Sequence, residues 1–170
     1  NEYNCHNTLQ IYNPLDDAAL LKAGNYRSDS KKIISVGRLS YPKNYQMAIK
    51  IASEILPANP EWTWDIYGQG EEYDELNQMI QKHGLTQQMK LRGQVSNIYE
   101  LYNQYAFMVM TSRFEGFPMT LLEGMGNGLP LISFDIETGP NEIINDGKNG
   151  FIVPSGNVSL MKEKNSVTNK

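Results

Sequence analysis

Cysteine is almost absent from this chain: of 170 residues one is cysteine, Cys5, and two are histidine, His6 and His83. A lone cysteine closes no internal disulfide, and no Cys/His spacing of the kind that holds zinc is present. A reducing compartment is the matching expectation. Charge of one sign is also scarce, with 15 basic against 19 acidic side chains and a formal net charge of -4. A general nucleic-acid binder would want a basic face, so that class is set aside. No apolar run reaches the roughly 20 residues that cross a bilayer. The polar opening Asn1–Asn7 is not expected to be a signal peptide. The expected location is the cytoplasm, with peripheral contact at the inner face of a membrane left open. A G-x-G-x-x-G fingerprint is missing, and so is any Ser/His/Asp or Cys/His set from which to build a nucleophile. Asp135-Ile136-Glu137 offers two carboxylates without further ligands, so no metal is expected there. What is present is 40% hydrophobic residues, enough for the core of one domain.

Short β-type runs alternate with stretches of helical spacing along almost the whole length. A first strand is expected at Leu9–Tyr12, closed by Asn13-Pro14, and Lys22–Ser30 reads as a loop. Ile33–Val36 is a buried strand ended by Gly37. From Asn44 to Leu56, Met47, Ala48, Ile51, Ala52 and Ile55 recur at helical spacing, and Pro57 stops the helix. Trp62–Tyr67 is the next strand, halted at Gly68-Gln69-Gly70. Glu71–His83 carries Tyr73, Leu76, Met79 and Ile80 on one face and ends at Gly84. A strand at Met89–Leu91, a helix at Ile98–Tyr105 and an uncharged strand at Phe107–Met110 follow. Helix Pro118–Gly126 and strands Leu131–Phe134 and Phe151–Val153 complete the series. This βαβα rhythm predicts a Rossmann-like, three-layer α/β/α domain with a parallel sheet. Ligands on such sheets sit at the carboxyl ends of the strands, where Gly37-Arg38, Gly68, Gly93 and Glu115-Gly116 fall.

The densest signal is Arg113-Phe114-Glu115-Gly116-Phe117-Pro118-Met119-Thr120-Leu121-Leu122-Glu123. Pro118 suits the first helical position, where its missing N–H costs nothing. The amides of Met119, Thr120 and Leu121 are then expected to lack intrahelical partners and to suit a phosphate. Gly116 allows a ligand close to the backbone. Glu115 and Glu123 can face one cleft from two heights and accept hydrogen bonds from sugar hydroxyls. An equally open reading makes Glu115 a partner of the helix dipole and Glu123 a solvated surface residue. The second signal is Gly37-Arg38-Leu39-Ser40-Tyr41-Pro42-Lys43-Asn44. Arg38 supplies a planar fork and Lys43 a mobile point charge for a diphosphate, or the segment is an ordinary polar loop. Arg92-Gly93-Gln94-Val95, at another strand end, offers a loop against which a flat base can stack.

In this order and spacing, the residues resemble the C-terminal domain of the GT4 family of retaining glycosyltransferases, over roughly Ile11 to Gly156. The series is Tyr12-Asn13-Pro14, Val36-Gly37-Arg38-Leu39 with Lys43-Asn44, Tyr67-Gly68-Gln69-Gly70, Leu91-Arg92-Gly93, Ser112–Glu123 and Asn149–Pro154. Glu115 and Glu123 match the family's E-x7-E motif. The resemblance implies that Arg38 and Lys43 hold the donor's diphosphate, with Glu115 and the backbones of Gly116 and Phe117 beside the transferred sugar. It implies that the Thr120 and Leu121 amides hold a phosphate, that Glu123 binds the ribose, and that Arg92, Gly93 and Val95 lie against the base. Gly37, Gly68 and Pro118 would shape the same donor site, without a bound metal or other cofactor.

Enzymes of this resemblance have the GT-B fold, two Rossmann-like domains with the active site between them. The expectation here is one of them, a nucleotide-sugar-binding domain at residues 7–157, followed by a truncated or disordered tail at 158–170, with the N-terminal acceptor-binding domain absent. The implied donor is a nucleotide-diphospho-sugar, by family frequency a UDP-sugar. The implied acceptor is a saccharide or lipid-linked glycan in surface polysaccharide or glycoconjugate synthesis, and the chain alone is expected to be inactive. The alternative is a non-catalytic nucleotide- or sugar-binding module, or a subunit pairing with a separate acceptor-binding chain.

Overall fold

Phe107-Met108-Val109-Met110 carries no charge, and all four side chains are buried. A strand hidden on both faces needs a neighbour at each edge and helices above and below. A computed structural model describing residues 29–167, with Pro14, Leu15 and Arg27, has that arrangement. Six parallel strands, β1 (Lys32–Val36), β2 (Thr63–Tyr67), β3 (Met89–Gly93), β4 (Phe107–Met110), β5 (Leu131–Asp135) and β6 (Gly150–Pro154), form one sheet. Their order is β3-β2-β1-β4-β5-β6. The helices are α1 (Tyr45–Ile55), α2 (Tyr73–Lys82), α3 (Tyr99–Tyr102), α4 (Met119–Gly126), α5 (Pro140–Ile143) and α6 (Val158–Val167). α1 packs against α2 and α6, and α4 against α5. Right-handed crossovers in opposite directions from β1 and β4 place these two groups on opposite faces. The expected three-layer α/β/α fold is the one present. The strand proposed at Leu9–Tyr12, together with Cys5 and His6, lies outside the described residues.

The local causes are ordinary. In α1 Ala48, Ile49, Ile51 and Ala52 are buried, and the helix closes at Leu56, whose own backbone is still helical, because Pro57 brings no N–H to extend the ladder. After α2, Gly84 turns left-handed (φ 70°), and Leu85 N–H reaches back 3.0 Å to the Ile80 carbonyl, a Schellman-type close. Gly124 sits where α4 crosses the sheet: a Cβ there would lie 2.9 Å from Met108 Cε.

Three departures from the sequence reading have physical causes. α3 stops at Tyr102 instead of Tyr105, because Gln104 and Tyr105 N–H bond the Leu101 and Tyr102 carbonyls in tight i→i+3 turns. Pro140–Ile143 adds a short helix between β5 and β6. The segment expected as a ragged tail forms α6 as far as Val167. Asn157 caps it by accepting the Leu160 N–H at 3.0 Å. Met161 is fully buried, Lys164 lies over the Phe151 ring, and Lys162 bonds Glu54 of α1 at 2.9 Å. Tertiary neighbours thus supply what the segment's own polar pattern lacks.

Phe107 is 1% exposed and packs on Trp62 with ring centroids 5.8 Å apart. Phe107→Ala is expected to cost about 3–5 kcal/mol in urea denaturation. Phe114→Ala, at an exposed ring, should stay within about 0.5 kcal/mol of the parent.

Candidate functional site

The strand order reverses between β1 and β4, so the loops leaving these strands part and open a crevice at their carboxyl ends. Both strongest sequence signals sit on those two loops. After β1 the chain makes a single 3-10 turn, Tyr41–Lys43, and then Asn44 adopts a left-handed conformation (φ 55°), which asparagine tolerates better than most residues. Asn44 Nδ2 donates to the Thr111 carbonyl at 3.1 Å. The Thr111 hydroxyl returns bonds to the Lys43 and Asn44 carbonyls at 3.2 and 3.1 Å, and Arg113 N–H bonds the Pro42 carbonyl at 2.8 Å. The β1 loop is thereby latched to the β4 loop.

This latch brings Lys43 Nζ to 2.7 Å from Glu115 Oε1, with the side chains 21% and 11% exposed. Ser112 Oγ donates to the same oxygen at 2.6 Å, and the Thr138 hydroxyl donates to the Glu115 carbonyl. Behind the pair, burial, and then the Glu115 charge, push the Tyr45 phenol well above its ordinary range. Lys43 and Glu115 were expected as separate ligand contacts; here they are one ion pair. Its geometry offers a cation toward an anionic ligand and keeps carboxylate lone pairs for hydroxyls.

Beside the pair lies a cleft of about 370 Å³, walled by Arg38, Tyr67, Gln69, Gln94, Val95 and Ile98 and floored by the Gly37 and Gly68 backbones. A Cβ on Gly37 would meet Lys43 Cε at 3.1 Å, so the lysine stem lies against a glycine that also lines the cleft. At Gly68 (φ 147°) a Cβ would fall 1.9 Å from the Gly37 carbonyl oxygen, which restricts this position to glycine. Arg38 reaches Glu71 at 3.1 Å, both side chains being well exposed. Such a pair is worth at most about 1 kcal/mol and yields readily to a ligand.

Two expected ligand contacts are redirected. Arg92 is outside the lining of that cleft; its Nε bonds Asp65 Oδ1 at 2.7 Å. Between Ile66 and Tyr67 the β2–β3 register slips, leaving Arg92 unmatched, and bulges of this kind re-aim side chains. Asp65 Oδ2 also accepts from the Tyr105 hydroxyl at 2.8 Å, and Tyr105 and Tyr67 share a hydrogen bond of 2.9 Å. Burial is the main cause pushing the Tyr105 phenol up, followed by its bonds to Tyr67 and Asp65. Gly93 turns left-handed (φ 73°) and gives its carbonyl to Gly68 N–H at 2.9 Å, so it holds the loop and leaves Gln94 and Val95 to face the cleft. Asp65, Tyr67 and Tyr105 carried no weight in the sequence reading, although a lone carboxylate within an apolar strand was a visible signal.

At α4, Pro118 is the capping residue and Met119 the first helical one, a shift of one from the expectation. Met119 N–H bonds the Phe117 carbonyl and Leu121 N–H the Pro118 carbonyl, each at 2.9 Å. Of the three amides expected to be open, Thr120 N–H is the one with no acceptor among the described residues. Gly116 is open, with nothing within 4 Å of a Cβ built there. Glu123, one turn on, is half-buried against α3. Tyr102 donates to its Oε2 at 3.0 Å and Tyr99 to its Oε1 at 3.4 Å. Desolvation raises the Glu123 pKa, and the two tyrosine bonds oppose the rise. It is therefore not the solvated surface residue of the second sequence reading.

Residues 16–165 match the model of the family described as "Glycosyl transferases group 1". The chain is 37% identical over 123 residues to the GtfA subunit of UDP-N-acetylglucosamine–peptide N-acetylglucosaminyltransferase from Streptococcus pneumoniae, covering 72% of this chain and 24% of that protein. It is 30% identical over 164 residues to poly(glycerol-phosphate) alpha-glucosyltransferase of Bacillus subtilis, covering 92% of this chain and 24% of the relative. The chain thus spans about a quarter of the length of these curated relatives. Pneumococcal GtfA, solved in complex with UDP and GlcNAc, superposes with a TM-score of 0.74 at 33% identity, over 85% of this chain and 29% of that one.

A carboxylate whose pKa is raised by folding binds its proton more tightly in the native state than in the unfolded chain. Its ionisation then costs stability, fully above the folded pKa and not at all below the ordinary carboxylate range. Glu123→Gln is accordingly expected to melt higher than the parent near neutral pH. The gap should close as the pH falls through the carboxylate range, read from thermal melts across a pH series.

Proposed function

The chain belongs to the glycosyl transferases of group 1, and from that premise we propose that residues 7–157 are the donor-binding domain of a retaining hexosyltransferase of the GT4 type. The donor is a nucleotide-diphospho-sugar, by this reading a UDP-sugar, and the acceptor a saccharide or lipid-linked glycan in surface polysaccharide or glycoconjugate synthesis. The observation that carries the reading is the Lys43–Glu115 pair, held at the reversal of strand order and bordering a cleft large enough for a nucleoside. Relatives named as UDP-N-acetylglucosamine and glucosyl transferases support it, as does UDP bound to GtfA.

In this mechanism the diphosphate lies between Arg38, Lys43 and the N-terminal turn of α4. When the bond from the anomeric carbon to the diphosphate oxygen breaks, both electrons leave with the oxygen, and the new negative charge forms beside fixed cations. Lys43, Arg38 and the Thr120 N–H stabilise that charge more than they stabilise the ground state. Leu121 N–H, already bonded within the turn, contributes through the helix dipole. Glu115 accepts hydrogen bonds from hydroxyls of the moving sugar, with Gly116 and Phe117 beside it, while Lys43 and Ser112 fix its carboxylate. Glu123 takes the ribose diol, and Tyr67, Gln94 and Val95 enclose the base. No metal enters this scheme, since protein cations neutralise the diphosphate.

The second wall of the cleft, with the acceptor site, belongs to a further domain or chain, so this chain alone transfers no sugar. That the similar GtfA is itself a subunit favours a second reading in which the partner is a separate polypeptide. Peripheral membrane association of the complete enzyme follows from a lipid-linked acceptor; among the described residues no helix is long and apolar enough to cross a membrane.

Calorimetric titration with UDP, GDP and ADP, with and without EDTA, tests the donor site. One nucleotide should bind regardless of EDTA, and Arg38→Ala and Glu123→Ala should each weaken it about tenfold, the scale of one lost charge-assisted hydrogen bond. Binding that requires a divalent ion, or that ignores both substitutions, would sink this assignment. Sugar transfer by the 170-residue chain alone would refute the need for a second wall.

A further inference from the structure

The Glu123 carboxylate is held on one side only. Tyr102, fully buried, donates to Oε2 at 3.0 Å, within the normal range, whereas Tyr99 stands 3.4 Å from Oε1, too far for a strong bond. A carboxylate has about four acceptor sites over its two oxygens. Oε2 is therefore anchored with one site to spare, and among the described residues Oε1 is guided by the long Tyr99 contact alone. A vicinal diol needs that pattern, two adjacent acceptors on a carboxylate that does not rotate.

Both tyrosines stand on one short helix, α3, which begins at the residue after Ile98. Ile98, with Gln94 and Val95, lines the cleft beside Arg38 and Tyr67. The wall of that cleft and the grip on Glu123 are thus consecutive parts of one segment. The geometry points to Tyr102 as a positioning residue, and Tyr99 as its weaker companion, that fix the Glu123 carboxylate on the ribose 2′- and 3′-hydroxyls of the nucleotide. This rests on the donor-site reading above, which places Glu123 at the ribose. Neither phenol touches the reacting bond. Tyr102 acts through Glu123, and removing its hydroxyl frees the carboxylate to turn and lose one of the two hydroxyls. The hydrogen bonds of 2.8 and 2.9 Å in the Asp65 network, by comparison, join Asp65, Tyr105 and Tyr67 and do not reach this carboxylate.

The test compares UDP with 2′,3′-dideoxy-UDP by calorimetry on the parent chain and on Tyr102→Phe, Tyr99→Phe and Glu123→Gln. The parent should prefer UDP by about tenfold or more, and Glu123→Gln should bring that preference near unity. Tyr102→Phe should cut the preference about fivefold and Tyr99→Phe about twofold, each leaving affinity for the dideoxy nucleotide unchanged. A merely structural role would weaken both ligands alike, and that result would overturn the inference. So would a preference lost in Glu123→Gln but intact in both tyrosine variants, which would leave Glu123 at the ribose. A parent preference that survives Glu123→Gln would instead remove Glu123 from the ribose, and the inference with it. Should Tyr102→Phe fail to fold, Tyr99→Phe, at a partly exposed ring, carries the same comparison.

Discussion

The site depends on the latch between the loops that leave β1 and β4. These loops belong to strands whose crossovers run in opposite directions, and nothing in the sheet itself would hold them together beyond the last ladder bond. Asn44 and Thr111 exchange hydrogen bonds across the gap, Pro42 and Arg113 add a backbone bond, and Lys43 and Glu115 close it with a 2.7 Å ion pair. Because that pair is largely buried, breaking one partner would leave an uncompensated charge. The preferred state keeps a cation and a carboxylate at fixed separation before any ligand arrives, and such preorganisation is what electrostatic catalysis needs.

The other polar groups are arranged around this latch in a graded way. Arg38, on the exposed rim, is bound weakly to Glu71 and is free to change partner. Arg92, half-exposed, is bound firmly to the nearly buried Asp65, and through Tyr105 and Tyr67 it stiffens one wall of the cleft. Glu123 is held by α3, whose preceding loop lines the same cleft. Each charged group thus has a partner suited to its burial. Mobile pairs sit where a ligand must compete, and fixed pairs sit where shape must be kept.

Much of this was legible in the residues, for reasons that are local. Pro57 and Gly84 each end a helix, because a missing N–H and a left-handed backbone act at one position. The uncharged Phe107–Met110 predicted a strand covered on both faces, since only that environment tolerates it. Gly68 marked the end of a strand, and β2 does stop at Tyr67 just before it. The order of motifs, the spacing of Glu115 and Glu123 among them, pointed to the family whose model the chain matches.

What the sequence by itself determined, then, was the alternation of strands and helices, the fold class, and which loops carry the chemistry, because these follow from periodicity and single-residue conformational limits. Only the tertiary structure decided which groups face one another. Lys43 meets Glu115 across 72 positions and Arg92 meets Asp65 across 27, and no local rule relates such residues. It likewise turned the polar segment after Asn157 into α6, by supplying a surface for Met161 to bury against. It also brought the Tyr102 hydroxyl to the Glu123 carboxylate, 21 positions away. Pairings at that distance depend on the packing of the whole sheet, and a pattern read along the chain has no means of expressing it.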